Sequence, residues 1–90
     1  MALRFARSAG RHGIRHERAA YVIEHCPLPL FAGPMGPPAS ILFLGPDANG
    51  VPLEVLAIEL PDGELLVIHA MRMRRKYLET YAEGMSWHDR

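Results

Sequence analysis

The stretch VIHAMRMRRKY, residues 67–77, starts as a strand and ends as a cluster of cations. Val67 and Ile68 are β-branched, His69 follows, and then come Arg72, Arg74, Arg75, Lys76 and Tyr77. An imidazole accepts or donates a proton near neutral pH, and guanidinium and ammonium groups bind phosphate oxygens. A histidine where a strand meets the densest positive charge in the chain therefore suits phosphate chemistry. A lone histidine in an apolar strand is also commonly a satisfied core residue. The neighbours that the fold supplies decide between the two.

Charge patterning points the same way. The formal net charge of the 90 residues is zero, yet residues 1–18 hold Arg4, Arg7, Arg11, Arg15 and Arg18 against Glu17 alone. Residues 19–70 hold Glu24, Asp47, Glu54, Glu59, Asp62 and Glu64 and no Lys or Arg, while 71–78 hold four cations and no acid. If the fold joins the two basic stretches, one face is positive and another acidic. Solvated helix faces account for the same pattern equally well.

Ninety residues, 49% of them hydrophobic, make one folded domain. Residues 1–84 are expected to form it, with 85–90 as a mobile tail without periodicity. No apolar run approaches the roughly 20 residues of a membrane helix, and MALRFARSAGRHG lacks the continuous apolar segment of a secretory signal. Cys26 is alone, so it has no disulfide partner within the chain. The expectation is a cytoplasmic protein without a membrane partner.

The elements that must position His69 follow from periodicity. Arg4, Arg7 and Arg11 at i, i+3, i+7 predict a first helix, ended by Gly13. Ala19, Val22, Ile23 and Cys26 predict a second from about 15 to 25, stopped by Pro27. LPLF reads as a short strand and AGPMGPPAS, residues 32–40, as a loop. ILFLG (41–45), VPLEVLAIEL (51–60) and LLVIHAM (65–71) are strands joined by the turns PDANG and PDGE. Residues 74–83 predict a last helix. The class is α+β: two N-terminal helices, a three- to four-stranded antiparallel sheet and a C-terminal helix.

Register then places the histidine. If Asp62-Gly63 is a two-residue hairpin loop, Leu60 pairs with Leu65, Ile58 with Val67, Leu56 with His69 and Glu54 with Met71. Glu54, Leu56, Ile58, Val67, His69 and Met71 share one face. Glu54 and His69 become diagonal neighbours at the end that leads into the basic helix. One residue of slippage destroys this.

Nucleotide-binding and hydrolase signatures GxGxxG, GxxxxGK[ST] and GxSxG are absent from the sequence. His12 and His16 would present two metal ligands only on a helix unbroken at Gly13, so neither metal nor cofactor is expected. His12, His16 and His25 are explained by exposure or capping beside the helices.

RHGI at 11–14, the Ala-rich second helix, ILFLG with its Gly-containing turn, PLEVLAIE, VIHA at 67–70, and Tyr81 with Glu83 together resemble the BrnT-like toxins of bacterial type II toxin–antitoxin systems, within the RelE/ParE-like superfamily. The resemblance covers roughly residues 10–84. His69-Ala70-Met71 stands where that pattern has Ser-Ala-Arg, and no strand is read before the helices. The resemblance implies RNA as substrate, free or ribosome-associated, cleaved without metal by 2′-hydroxyl attack on the adjacent phosphate. It also implies a small antitoxin partner, in a homodimer or a toxin–antitoxin hetero-oligomer. On that reading His69 is the acid or base, with Glu54 as its partner or an alternative base. Arg72, Arg74 and Lys76, with Arg75 beside them, hold the phosphate, and Tyr77 donates a proton or stacks on a base. Arg7 and Arg11 add backbone contacts. The alternative is a toxin-fold or adaptor protein that binds a protein partner without cleaving; the adaptor form requires Leu56, Ile58 and Val67 to make an exposed patch.

Overall fold

Two polar turns organise the centre of the chain. Asp47 Oδ1 accepts the backbone N–H of Asn49 and of Val51, both at 2.9 Å, and Gly50 takes a φ of +82°. An aspartate that bonds its own backbone and a glycine in the left-handed region close this hairpin. The second turn closes through Gly63, φ +86°, whose N–H donates to Leu60 O at 2.9 Å, while Leu60 N–H donates to Glu64 O at 2.8 Å. In the computed structural model, which describes residues 2–26, 29–31 and 40–88, these turns join β3 (Ser40–Pro46), β4 (Pro52–Glu59) and β5 (Leu65–Arg72) into an antiparallel meander. A two-residue strand β2 (Leu30–Phe31) extends it beside β3.

The N-terminus departs from expectation. Residues Leu3–Phe5 form a strand, β1, paired in parallel with β5 through Leu3↔Leu65, Arg4↔Leu66 and Phe5↔Val67. A 3-10 turn follows at Arg7–Gly10, then α1 (His16–His25). The sheet is five-stranded and mixed, in the order β1-β5-β4-β3-β2. The predicted pair of N-terminal helices and the purely antiparallel sheet are both corrected, and with them the RelE/ParE-like arrangement built on them. Pairing with an otherwise open strand edge outweighs the helical spacing of three arginines, and three residues are too few to show an alternating pattern. Arg4, Arg7 and Arg11 therefore do not share a helical face. Arg4 lies on β1, its Nε 2.7 Å from Glu64 Oε2.

The remaining elements cover the two faces of the sheet. Ala19, Val22 and Ile23 of α1 pack with Phe43, Leu53, Val55, Ala57, Leu65, Val67 and Ala70. Cys26, just past the helix, is extended, as a residue before proline prefers. On the other face Leu42, Leu44 and Met73 form a second cluster, joined by Leu56 and by Tyr77 and Tyr81 of α2 (Arg75–His88). That helix runs five residues beyond its expected end at 83, to His88. The 32–39 part of the expected loop, Pro27, Leu28 of the expected LPLF strand, Asp89 and Arg90 lie outside the described residues.

The register at β4–β5 combines two one-residue departures. The turn is a three-residue loop, 61–63, so Glu59 pairs with Leu65, Ile58 with Leu66 and Ala57 with Val67. A bulge at Ile68 then shifts the ladder, and Leu56 pairs with His69, Val55 with Ala70 and Glu54 with Met71. Near the turn the expected pairs Leu60–Leu65 and Ile58–Val67 are wrong. Val67 is fully buried on the α1 face instead. Past the bulge, the expected pairs at Leu56 and Glu54 hold.

Candidate functional site

Glu54 is the residue on which the site is built. It sits in the interior of β4 with 0% exposure, pointing away from α1 because its neighbours Leu53 and Val55 point toward it. A carboxylate in such a place needs charged or hydrogen-bonded partners. Oε1 accepts the backbone N–H of Arg74 at 2.9 Å and the Arg74 Nε–H at 3.0 Å. Oε2 accepts from Arg74 Nη2 at 2.6 Å and lies 3.0 Å from His69 Nε2. Burial pushes the Glu54 carboxyl up, but the Arg74 side chain and backbone, with His69, outweigh it and hold the group below the usual carboxylate range. The hydrogen bond and charge of Glu54 in turn raise Arg74 above its ordinary value.

This ionisation fixes the imidazole. An ionised carboxylate can only accept hydrogen bonds, so Nε2 of His69 carries a proton. In the neutral ring Nδ1 is then the lone-pair nitrogen, and it has no hydrogen bond among the described residues. The His69 side chain is 25% exposed. It is neither a sealed core residue nor a freely rotating surface group: one nitrogen is anchored and the other is left for chemistry. The bulge at Ile68 makes this possible, because it puts His69 on the Glu54 face while Val67 and Ala70 both stay in the α1 core.

Around this pair the expected residues fall into distinct places. Glu54, expected as partner or alternative base, has both oxygens occupied by donors, so it orients His69 rather than taking up a proton itself. Arg74 is turned inward onto Glu54 with its side chain still 44% exposed. Arg75 and Lys76 are exposed at the start of α2, whereas Arg72, exposed at the end of β5, pairs with the α1-facing Leu53 and so stands on the opposite face of the sheet from His69. Tyr77 is half-buried against the second cluster, with Arg74 Cζ 5.5 Å and Lys76 Nζ 4.9 Å from its ring centroid. That packing limits it as a base-stacking surface. Arg7 and Arg11 are exposed on and just after the 3-10 turn, which runs beside β5. Of the first basic stretch, residues 7–11 thus lie beside β5, while Arg4 and Arg18 are paired with Glu64 and Asp47.

One residue of the cluster is not found by sequence reasoning. The ring of His12 lies edge-on to that of His69, with centroids 5.5 Å apart and planes at 78°. Only the parallel β1–β5 pairing brings residue 12 to residue 69, and no periodicity in the sequence reports it. Other imidazoles are engaged elsewhere, His16 stacked on Phe5 at 4.0 Å and His25 on Tyr21 at 4.0 Å. Among the described residues no group of three or more His, Cys, Asp or Glu side chains is placed to hold a metal ion. Nor do Leu56, Ile58 and Val67 make an exposed patch, since Val67 is in the core and the other two are partly buried.

Comparison with known proteins returns no match: no family model, no curated relative and no solved structure corresponds to the chain. No helix among the described residues is long and apolar enough to cross a membrane.

Proposed function

We propose that this protein is a ribonuclease that cleaves RNA without a metal ion, acting as the BrnT-like toxin of a type II toxin–antitoxin pair in the cytoplasm. One observation carries the chemistry: His69 is anchored through Nε2 to a buried, ionised Glu54, near the end of a strand that leads into the exposed Arg75 and Lys76. The sequence resemblance supplies RNA as the substrate and an antitoxin as the partner.

On this reading His69 Nδ1 takes the proton of a ribose 2′-hydroxyl as that oxygen attacks the adjacent phosphorus. The P–O5′ bond breaks, leaving a 2′,3′-cyclic phosphate and a 5′-hydroxyl end. Glu54 holds the ring in the required tautomer and stabilises the imidazolium that forms. Arg75 and Lys76, with the exposed edge of Arg74, balance the charge of the pentavalent phosphorane. Arg7 and Arg11 contact the flanking backbone.

The test is cleavage of end-labelled RNA by the purified protein in excess chelator, with fragment ends identified chemically. Wild type is expected to leave cyclic-phosphate ends, and His69→Ala, folded by circular dichroism, to lose at least about 100-fold in rate. Intact RNA with folded wild-type protein that still arrests bacterial growth would move the assignment to a toxin acting on a protein partner.

A further inference from the structure

We propose that His12 is the second proton-transfer group of this site, the acid that protonates the leaving 5′-oxygen. The inference rests on the ribonuclease reading and goes beyond it by assigning the one role left unfilled. Transfer of a phosphoryl group from O5′ to O2′ moves two protons. One leaves the attacking hydroxyl for His69 Nδ1, and the other must reach O5′ as the P–O5′ bond breaks, or an alkoxide would be expelled. Both rings then stand in the opposite protonation state, and exchange with water restores them.

Three observations place the second histidine for this task. Its ring contacts that of His69, so a group reached by one lies close to the other. The segment carrying it is anchored although the ring itself is exposed. Ala9 and Ile14 on either side are buried, and Ser8 Oγ–H donates to Ile68 O at 2.7 Å, on the residue next to His69. Gly13 reverses the chain in the left-handed region, φ +73°, which admits the turn between His12 and Ile14. Finally, no nitrogen of His12 is used in a hydrogen bond among the described residues, whereas the competing donor Tyr77 lies half-buried against an apolar cluster.

The experiment compares two RNA substrates of one sequence at the mapped cleavage site. One has the natural 5′-oxygen leaving group. The other has a bridging 5′-sulfur, which departs as a thiolate and needs no proton. His12→Ala is expected to cleave the natural linkage about 100-fold or more slowly than wild type, and the sulfur linkage within about tenfold of wild type. His69→Ala is expected to be slow on both. Equal loss on both substrates in His12→Ala would make it a binding or structural residue, and no loss on the natural RNA would remove it from the mechanism; either overturns the assignment. Wild type that cleaves neither substrate overturns the ribonuclease reading itself and this assignment with it. Circular dichroism and the urea midpoint of the variant separate loss of chemistry from loss of fold.

Discussion

Oε2 of Glu54 lies 3.0 Å from His69 Nε2, while Oε1 takes the backbone amide of Arg74 at 2.9 Å. One buried carboxylate of β4 therefore ties together β5, through His69, and Arg74, the residue that precedes α2. The candidate site and the packing of the sheet end are the same set of bonds, so substitutions there affect both.

Arg74 and Glu54 are expected to be strongly coupled. Arg74→Ala leaves a fully buried carboxylate with only His69 and one backbone amide, and should cost about 2–4 kcal/mol. Glu54→Gln leaves a half-exposed guanidinium that water can solvate, and should cost about 1–2 kcal/mol. Urea unfolding of both single variants and the double variant should give a double loss smaller than the sum. Strict additivity would mean that the two side chains do not depend on one another.

Stability should fall in acid through two carboxylates. Val51 and Asn49 backbone bonds and the Arg18 ion pair hold Asp47 below its ordinary range against burial, and the Arg74 and His69 contacts do the same for Glu54. A depressed folded-state value gives stability that is full above the unfolded value and lost as pH falls through the folded one. The urea midpoint should stay level on these groups' account from neutral pH to about 5 and decline below about 4. Asp47→Asn should flatten that decline. An unchanged acid slope in this variant would place the titration elsewhere.

Asp47 also latches α1 to the β3–β4 hairpin. It is 3% exposed, and Oδ2 accepts Arg18 Nε–H at 2.8 Å while Oδ1 serves the two turn amides. Asp47→Ala strands those donors and should cost about 2–3 kcal/mol. Arg18→Ala leaves both turn bonds in place and should cost about 1 kcal/mol. Thermal or urea unfolding reads the difference, and equal losses would mean that the turn bonds contribute little.

The exposed cations should act on RNA and not on folding. Arg75→Ala and Lys76→Ala are expected to leave stability within about 0.5 kcal/mol of wild type. Binding of a 2′-O-methyl oligonucleotide, measured by anisotropy across a salt series, should weaken. The log–log salt slope should drop by about 0.7 for each phosphate contact removed. An unaltered slope would put the RNA backbone on another face.

The Glu54–His69 relation was legible in the sequence because two errors cancel. The turn takes one residue more than Asp62-Gly63 suggests, and the bulge at Ile68 restores the register before it reaches Leu56. Alternation alone shows neither, so that pattern puts Val67 on the wrong face. The α1 stripe, the Asp47–Gly50 turn and the three long strands follow from local pattern. What stayed hidden depends on distant pairing: β1 forms because β5 has an open edge, and His12 reaches His69 only through β1.

The parallel pairing of β1 with β5 bears on the order in which the molecule comes into being. The hydrogen bond from Ser8 to Ile68 closes a span of 60 positions, a costly loop for a chain to close early in folding. The meander can form from neighbours, whereas the N-terminal segment must wait for β5 before it has anything to dock on. During synthesis, then, His12 emerges first and is fitted last. A truncated chain that stops before residue 65 has neither β5 nor His69, and a chain that has folded only its hairpins still lacks its second imidazole. The chemistry assigned to this end of the sheet would switch on only with completion of the whole domain.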